Sequence, residues 1–207
     1  MEMDIDEIRE NYKRFENDRI KRIAKNDARS LKQDSVPVLI EEIKKRGLSN
    51  RLIDWVNAER RRLSAEELAD LKMKTKKCKC QLCKKNTDLK GFKFMASTGI
   101  IIDHSTYCYK LIVCAKCGRK KQKSALISTM VFGWWSLYGL LCTPIIIFNT
   151  IKAQFQKDVR SEKLIEDFIK SNIGHITLGK ETKEVLEELI KRFNTLDEFG
   201  GLDAEPR

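Results

Sequence analysis

The sequence is poor in residues that break a chain or do acid–base chemistry. Three prolines among 207 residues exclude a long proline-rich linker, and no internal repeat or low-complexity tract is present. His104 and His175 are the only histidines, which leaves little that titrates near neutral pH. Neither a glycine-rich phosphate loop nor an HExxH pattern occurs. Asp103-His104 reads as a turn, and an enzyme is not expected. The opening MEMDIDEIRENYKRFENDRIK is acidic early and has no apolar run, so a secretory signal is not expected there. One absence is internal: residues 124–151 contain no charged side chain.

Elsewhere charge is abundant. A charged fraction of 34% beside a hydrophobic fraction of 42% fits a folded chain, not a disordered one. The net charge of +11 favours anionic partners, whether nucleic acid, lipid headgroups or acidic proteins, and is equally that of an ordinary solvated surface. Seven cysteines is an odd number, with four of them in two CxxC pairs. That pattern fits metal binding in a reducing compartment better than a disulfide framework, and implies the cytoplasm or the inner face of a membrane.

Composition divides the chain into four regions, and the expected fold class is α+β. Residues 1–76 read as a small helical N-terminal bundle, with stripes at Ile5, Ile8, Tyr12, Phe15, then Leu39, Ile40, Ile43, then Leu52, Ile53, Val56, Leu63. Pro37 suits a first helical turn, Gly47 a helix end, and Ser64 with Glu67 a capping box. The run Arg60, Arg61, Arg62 reads as an exposed face or a phosphate contact. Residues 77–123 read as a β zinc ribbon, with β-prone runs at 92–94, 99–103 and 106–113. Residues 124–151 form an apolar segment. Residues 152–207 return to amphipathic helices, one capped by Ser161 and ended by Gly174, the next starting near Thr182. The end, GGLDAEPR, is expected to fray.

Cys80-Gln-Leu-Cys83 and Cys114-Ala-Lys-Cys117-Gly118 lie about thirty residues apart. A two-residue spacer lets one tight turn aim two thiolates at one ion, and two such turns supply the four sulfurs zinc prefers. Lys79, Lys84, Lys85, Lys116 and Arg119 offset the net negative charge of such a centre. Iron on the same spacing, and Cys78 in place of Cys80, stay open. Cys108 and Cys142 read as buried small apolar residues. A closed four-thiolate site leaves no open coordination position, so the metal is structural.

The uncharged segment exceeds the roughly 20 residues needed to cross a bilayer. Gly133, Ser136, Gly139 and Pro144 interrupt it, and Trp134, Trp135 and Tyr138 sit mid-segment, where interfacial residues suit a plain span poorly. A helical hairpin dipping into one leaflet, with arms near 130–141 and 143–152, fits better. Basic clusters on both flanks would stay on the cytoplasmic side. A buried core hairpin or a homo-oligomer contact through residues 124–151 is the competing reading.

The order Cys80-x-x-Cys83, Cys114-x-x-Cys117-Gly118, Gly133-Trp134-Trp135, Thr143-Pro144 resembles a group of bacterial zinc-ribbon proteins of uncharacterised activity. In these a ribbon with a CxxCG second knuckle precedes a GWW…G…TP hydrophobic hairpin. The likeness covers residues 78–151, and SVPVLIEEIKKRGLSNRLIDWV is similar to their helical leader. The first knuckle departs from the pattern, since no glycine follows Cys83. The resemblance implies a membrane-proximal zinc protein and supplies no activity. The expected function is a membrane-associated binding or scaffold protein with an anionic inner leaflet and a protein as partners. The alternative is a soluble nucleic-acid-binding ribbon, using Phe92, Phe94, Tyr107 and Tyr109 for stacking.

Overall fold

Apolar residues three and four apart set the first helices. The computed structural model describes the backbone of residues 5–100, 103–132, 144, 145, 147, 148 and 157–198, and within those ranges no side chain at 97–100, 103–107, 132, 157, 158 or 196–198. In α1 (Ile5–Arg14) Ile8 and Tyr12 share the buried face. α2 (Asn17–Arg22) runs into a π-helical turn, Ile23–Asp27, that periodicity did not foretell; Ile20, Ala24 and Ala28 are buried along this stretch. α3 (Ser35–Lys45) carries Pro37 in its first turn, as expected, and buries Val38, Leu39 and Ile43. It stops at Gly47, which takes φ 62° while Gly47 N–H donates to the Lys44 carbonyl and Leu48 N–H to that of Ile43. Glycine holds this left-handed closure without a Cβ clash. α4 (Asn50–Glu59) is capped by the Ser49 hydroxyl, which accepts from Arg51 N–H, and buries Leu52 and Val56. Leu63, expected on that face, lies beyond the helix end.

Arginines close the loops of this unit. Arg46 pairs with Glu42 at 2.7 Å and donates to the carbonyls of Tyr12, Lys13 and Phe15, the exposed end of α1. Arg60 does the same for Ala28 and Leu31, and Arg61 pairs with Glu181 at 2.8 Å. Two members of the run at 60–62 are therefore tied into the fold.

A short helix from the far end of the sequence, α8 (Ile173–Leu178), completes this unit and packs on α4. Gly174 lies inside α8, not at a helix end as expected, and a Cβ there would sit 2.3 Å from Glu59 Oε1.

The second compact unit takes residues 65–171 and 183–207. α5 (Ala65–Lys76) starts one residue after Ser64 and buries Leu71 and Thr75. β1 (Leu89–Ile100) and β2 (Asp103–Cys114) form one antiparallel hairpin, in register from Leu89↔Cys114 to Ile100↔Asp103. The run expected as one strand at 99–103 is divided instead, with Ile100 ending β1 and Asp103 opening β2 as its partner. α6 (Ala115–Phe132) follows β2 without a break. α7 (Lys157–Ser171) contacts β1, and α9 (Lys183–Glu198) contacts β2.

Alternation along β1 decides which helix meets which face. Phe92 faces α6, with its ring against Gly118; a Cβ on Gly118 would lie 2.2 Å from Phe92 Cε2. The neighbouring Gly91 faces α7, where a Cβ would lie 2.8 Å from the Ser161 carbonyl oxygen. Gly91 N–H donates to Ser161 Oγ at 2.8 Å. Ser161 thus sits inside α7, four residues past its start, and seals a sheet edge instead of capping the helix as expected. Across the ladder from Gly91 is Ile112, whose N–H donates to Asn194 Oδ1 at 2.8 Å and whose carbonyl accepts from Asn194 Nδ2 at 3.1 Å. At one rung, then, side chains from two helices bond the outward N–H of β1 and the outward N–H and carbonyl of β2.

These units cut the chain differently from composition. The boundaries expected at 76/77, 123/124 and 151/152 follow charge and pattern, whereas α5 groups with the cysteine-bearing unit and α6 runs unbroken through 123/124. Among the described residues no helix is long and apolar enough to cross a membrane. The two hairpin arms expected at 130–141 and 143–152 fall mostly outside the described residues.

Candidate metal centre

The first knuckle is a turn between α5 and β1. Cys80 N–H donates to the Lys85 carbonyl, Lys84 N–H donates to the Cys80 carbonyl, and Lys79 bridges Asn86. Lys84 occupies the left-handed region, φ 58°, at the position where a glycine was missing from the motif. A lysine there carries the Cβ penalty that glycine avoids.

The second knuckle has a different build. Cys114 is the last residue of β2, and Cys117 lies in the first turn of α6. Helical backbone turns Cys117 back toward Cys114, and Cys117 N–H donates to Cys114 Sγ at 3.5 Å. Gly118, expected to serve a turn, instead makes room for Phe92. The two pairs meet because Leu89↔Cys114 fixes where the strand ends relative to the knuckle preceding β1.

The Sγ atoms of Cys80, Cys83, Cys114 and Cys117 all lie within 4.8 Å of one another, and Cys83 and Cys114 approach to 3.8 Å. Cys114 N–H donates to Cys80 Sγ at 3.4 Å. Cys80 and Cys114 are buried, while Cys83 and Cys117 are partly exposed. The basic residues Lys79, Lys84, Lys85, Lys116 and Arg119 are all exposed, and among the described residues these four sulfurs are the ligand-type atoms that converge.

Four sulfurs this close cannot all ionise without a cation. Burial alone would raise Cys114, but hydrogen bonds from the Cys117 backbone and from the neighbouring thiols outweigh it and bring its pKa down to about 6. Burial, then the adjacent Cys114 sulfur, pushes Cys117 up to about 12.

The remaining cysteines stand apart. Cys78 is fully buried and donates to the Lys74 carbonyl at 3.4 Å, and burial followed by Glu187 raises its pKa to about 11. It is not in the cluster, whereas Cys80 is. Cys108, expected to be buried, is exposed. Cys142 and the side chain of His104 lie outside the described residues. His175 is exposed and meets the Trp55 ring edge-on, with centroids 4.7 Å apart.

Pattern reading found the four cysteines and missed their supports. Gly91, Ser161 and Asn194 carry no motif; their roles depend on which strand rung meets which helix. Comparison with family models, curated proteins and solved structures finds no match to this chain, so the ribbon resemblance rests on its motifs alone.

Proposed function

We propose that Cys80, Cys83, Cys114 and Cys117 hold one structural zinc ion, and that the chain is a binding or scaffold protein without enzymatic activity at the cytoplasmic face of a membrane. The carrying observation is the convergence of four sulfurs within 4.8 Å. A tetrahedral centre with metal–sulfur bonds of about 2.3 Å requires sulfur–sulfur separations of about 3.8 Å, the spacing found between Cys83 and Cys114. Four thiolates close the coordination sphere, which fits a structural metal. The ion would tie the knuckle before β1 to the junction of β2 and α6.

The membrane part of the reading draws support from α6. Its first half carries Lys116, Arg119, Lys120, Lys121 and Lys123, and its uncharged second half exposes Ile127, Met130 and Val131. A basic collar followed by exposed apolar residues suits anionic headgroups above an apolar interior. The nucleic-acid alternative needs free strand aromatics, but Phe94 is buried and Phe92 packs on Gly118. Co-sedimentation of the zinc-loaded chain with vesicles tests this choice. Capture by phosphatidylglycerol vesicles and not by phosphatidylcholine vesicles supports the membrane reading. No capture, together with salt-sensitive binding to single-stranded nucleic acid, replaces it with the alternative.

A further inference from the structure

The metal centre is tied to a helix that supplies none of its sulfurs. In α9, Glu187 and Asn194 are seven residues apart. Two helical turns put them on one face, about 10 Å apart along the axis. Each bonds backbone or side chain close to one of the knuckles. Glu187 Oε1 accepts from Lys79 N–H at 3.0 Å, and the Glu187 carbonyl accepts from Gln81 Nε2 at 3.3 Å. Lys79 and Gln81 flank Cys80, and the bridge from Lys79 to Asn86 closes that knuckle. Asn194 bonds both the N–H and the carbonyl of Ile112, two residues before Cys114. The circuit closes at the sulfurs, where Cys114 N–H donates to Cys80 Sγ at 3.4 Å.

The whole β1–β2 hairpin separates the two knuckles in sequence, so their relative placement has to come from tertiary contacts. A carboxylate accepting a backbone N–H makes a stronger bond than a neutral acceptor does. The Glu187 side chain is 24% exposed, and its ion pair with Lys183 is long, 3.9 Å, and half exposed on the lysine side, so that pair holds it weakly. Glu187 lies outside the sulfur cluster. It reaches the metal through the Lys79 backbone, as an outer partner that fixes how a ligand is presented.

We propose that Glu187 is a positioning residue of the metal centre: its carboxylate orients the Cys80–Cys83 knuckle, and α9 thereby sets how tightly the ion is held. The inference rests on the zinc reading above. The test is zinc affinity of the purified full chain by chelator competition, read beside peptide-resolved alkylation of the zinc-loaded protein with N-ethylmaleimide. Glu187→Ala leaves a good helix former in place. It weakens zinc binding about tenfold or more at unchanged circular dichroism. Cys80 and Cys83 then alkylate faster, while Cys114 and Cys117 keep their wild-type rates, because Asn194 still holds β2. Glu187→Gln keeps an acceptor oxygen and stays within about threefold of wild type. Glu188→Ala removes a pair with Arg192 that includes no knuckle atom, and changes neither readout. Unchanged zinc affinity in Glu187→Ala overturns the proposal, as does a glutamine variant as weak as the alanine one. Equal acceleration at all four cysteines, the signature of α9 leaving the sheet, overturns it too. So does rapid hydrogen exchange at the Lys79 amide of the unsubstituted zinc-loaded chain, a measurement that needs no variant to fold. An unsubstituted chain that binds no zinc overturns the metal reading itself, whereas zinc binding untouched by Glu187→Ala overturns only this inference.

Discussion

Replacing Asn194 should destabilise the second unit more than its size suggests. Its side-chain amide serves as a missing third strand, giving an acceptor to Ile112 N–H and a donor to the Ile112 carbonyl. Ile112 has no exposed surface and Asn194 is 6% exposed, so water does not readily take over either bond. An unsatisfied buried backbone group costs about 1–3 kcal/mol, so Asn194→Leu, which keeps the volume and loses both bonds, should cost about 2–6 kcal/mol. Asn194→Asp keeps the acceptor but turns a carboxylate toward the Ile112 carbonyl. Its protonated form can donate, so the folded-state pKa rises above the unfolded value. The stability of that variant is then fully present below the unfolded pKa and is lost as pH rises through the folded one. Urea titration of zinc-loaded protein measures both. With a slope near 2 kcal/mol per molar, a loss of 2 kcal/mol lowers the midpoint by about 1 M. A leucine variant within about 0.5 kcal/mol of wild type would refute the edge-sealing argument, as would an aspartate variant whose deficit does not shrink at low pH.

Other perturbations follow from the same contacts. Gly118→Ala drives a methyl into the Phe92 ring and should cost about 1–3 kcal/mol; a double-mutant cycle with Phe92→Leu should recover part of that loss. Lys84→Gly removes a left-handed lysine and should raise stability by up to about 1 kcal/mol, read as a higher midpoint at unchanged zinc content. Glu166 accepts from Lys170 and Lys72, both at 2.6 Å, and these partners hold its carboxyl down to about 2 from an ordinary 4.5. Its contribution is present above 4.5 and lost as pH falls from 4.5 toward 2. Glu166→Gln should therefore flatten the stability profile in that window, although solvent screening keeps the effect small.

Local signals were legible where local physics decides the outcome. Pro37, Gly47 and Thr182 sit at the helix boundaries expected of them, and the two CxxC pairs meet. What depends on distant partners was not. The β propensity of residues 92–113 announced strands but not the single register that pairs Leu89 with Cys114 and Ile100 with Asp103. Ser161 and Gly174 look like a cap and a stop by themselves, and only their contacts with Gly91 and Glu59 explain them. The change from charged to uncharged residues at 123/124 marked a boundary of composition, while helical hydrogen bonding continues through it. Cys117-Gly118 resembled a ribbon turn, yet a helix start supplies the same sulfur convergence.

The most direct measurement is X-ray absorption at the zinc edge of the purified chain, paired with metal analysis. The account expects one zinc per chain with four sulfur neighbours at about 2.3 Å. It expects Cys78→Ser and Cys108→Ser to leave that shell intact, while serine at position 80, 83, 114 or 117 depletes it. A shell containing nitrogen or oxygen in the unsubstituted protein, or no stoichiometric zinc after growth in zinc-replete medium, would contradict it.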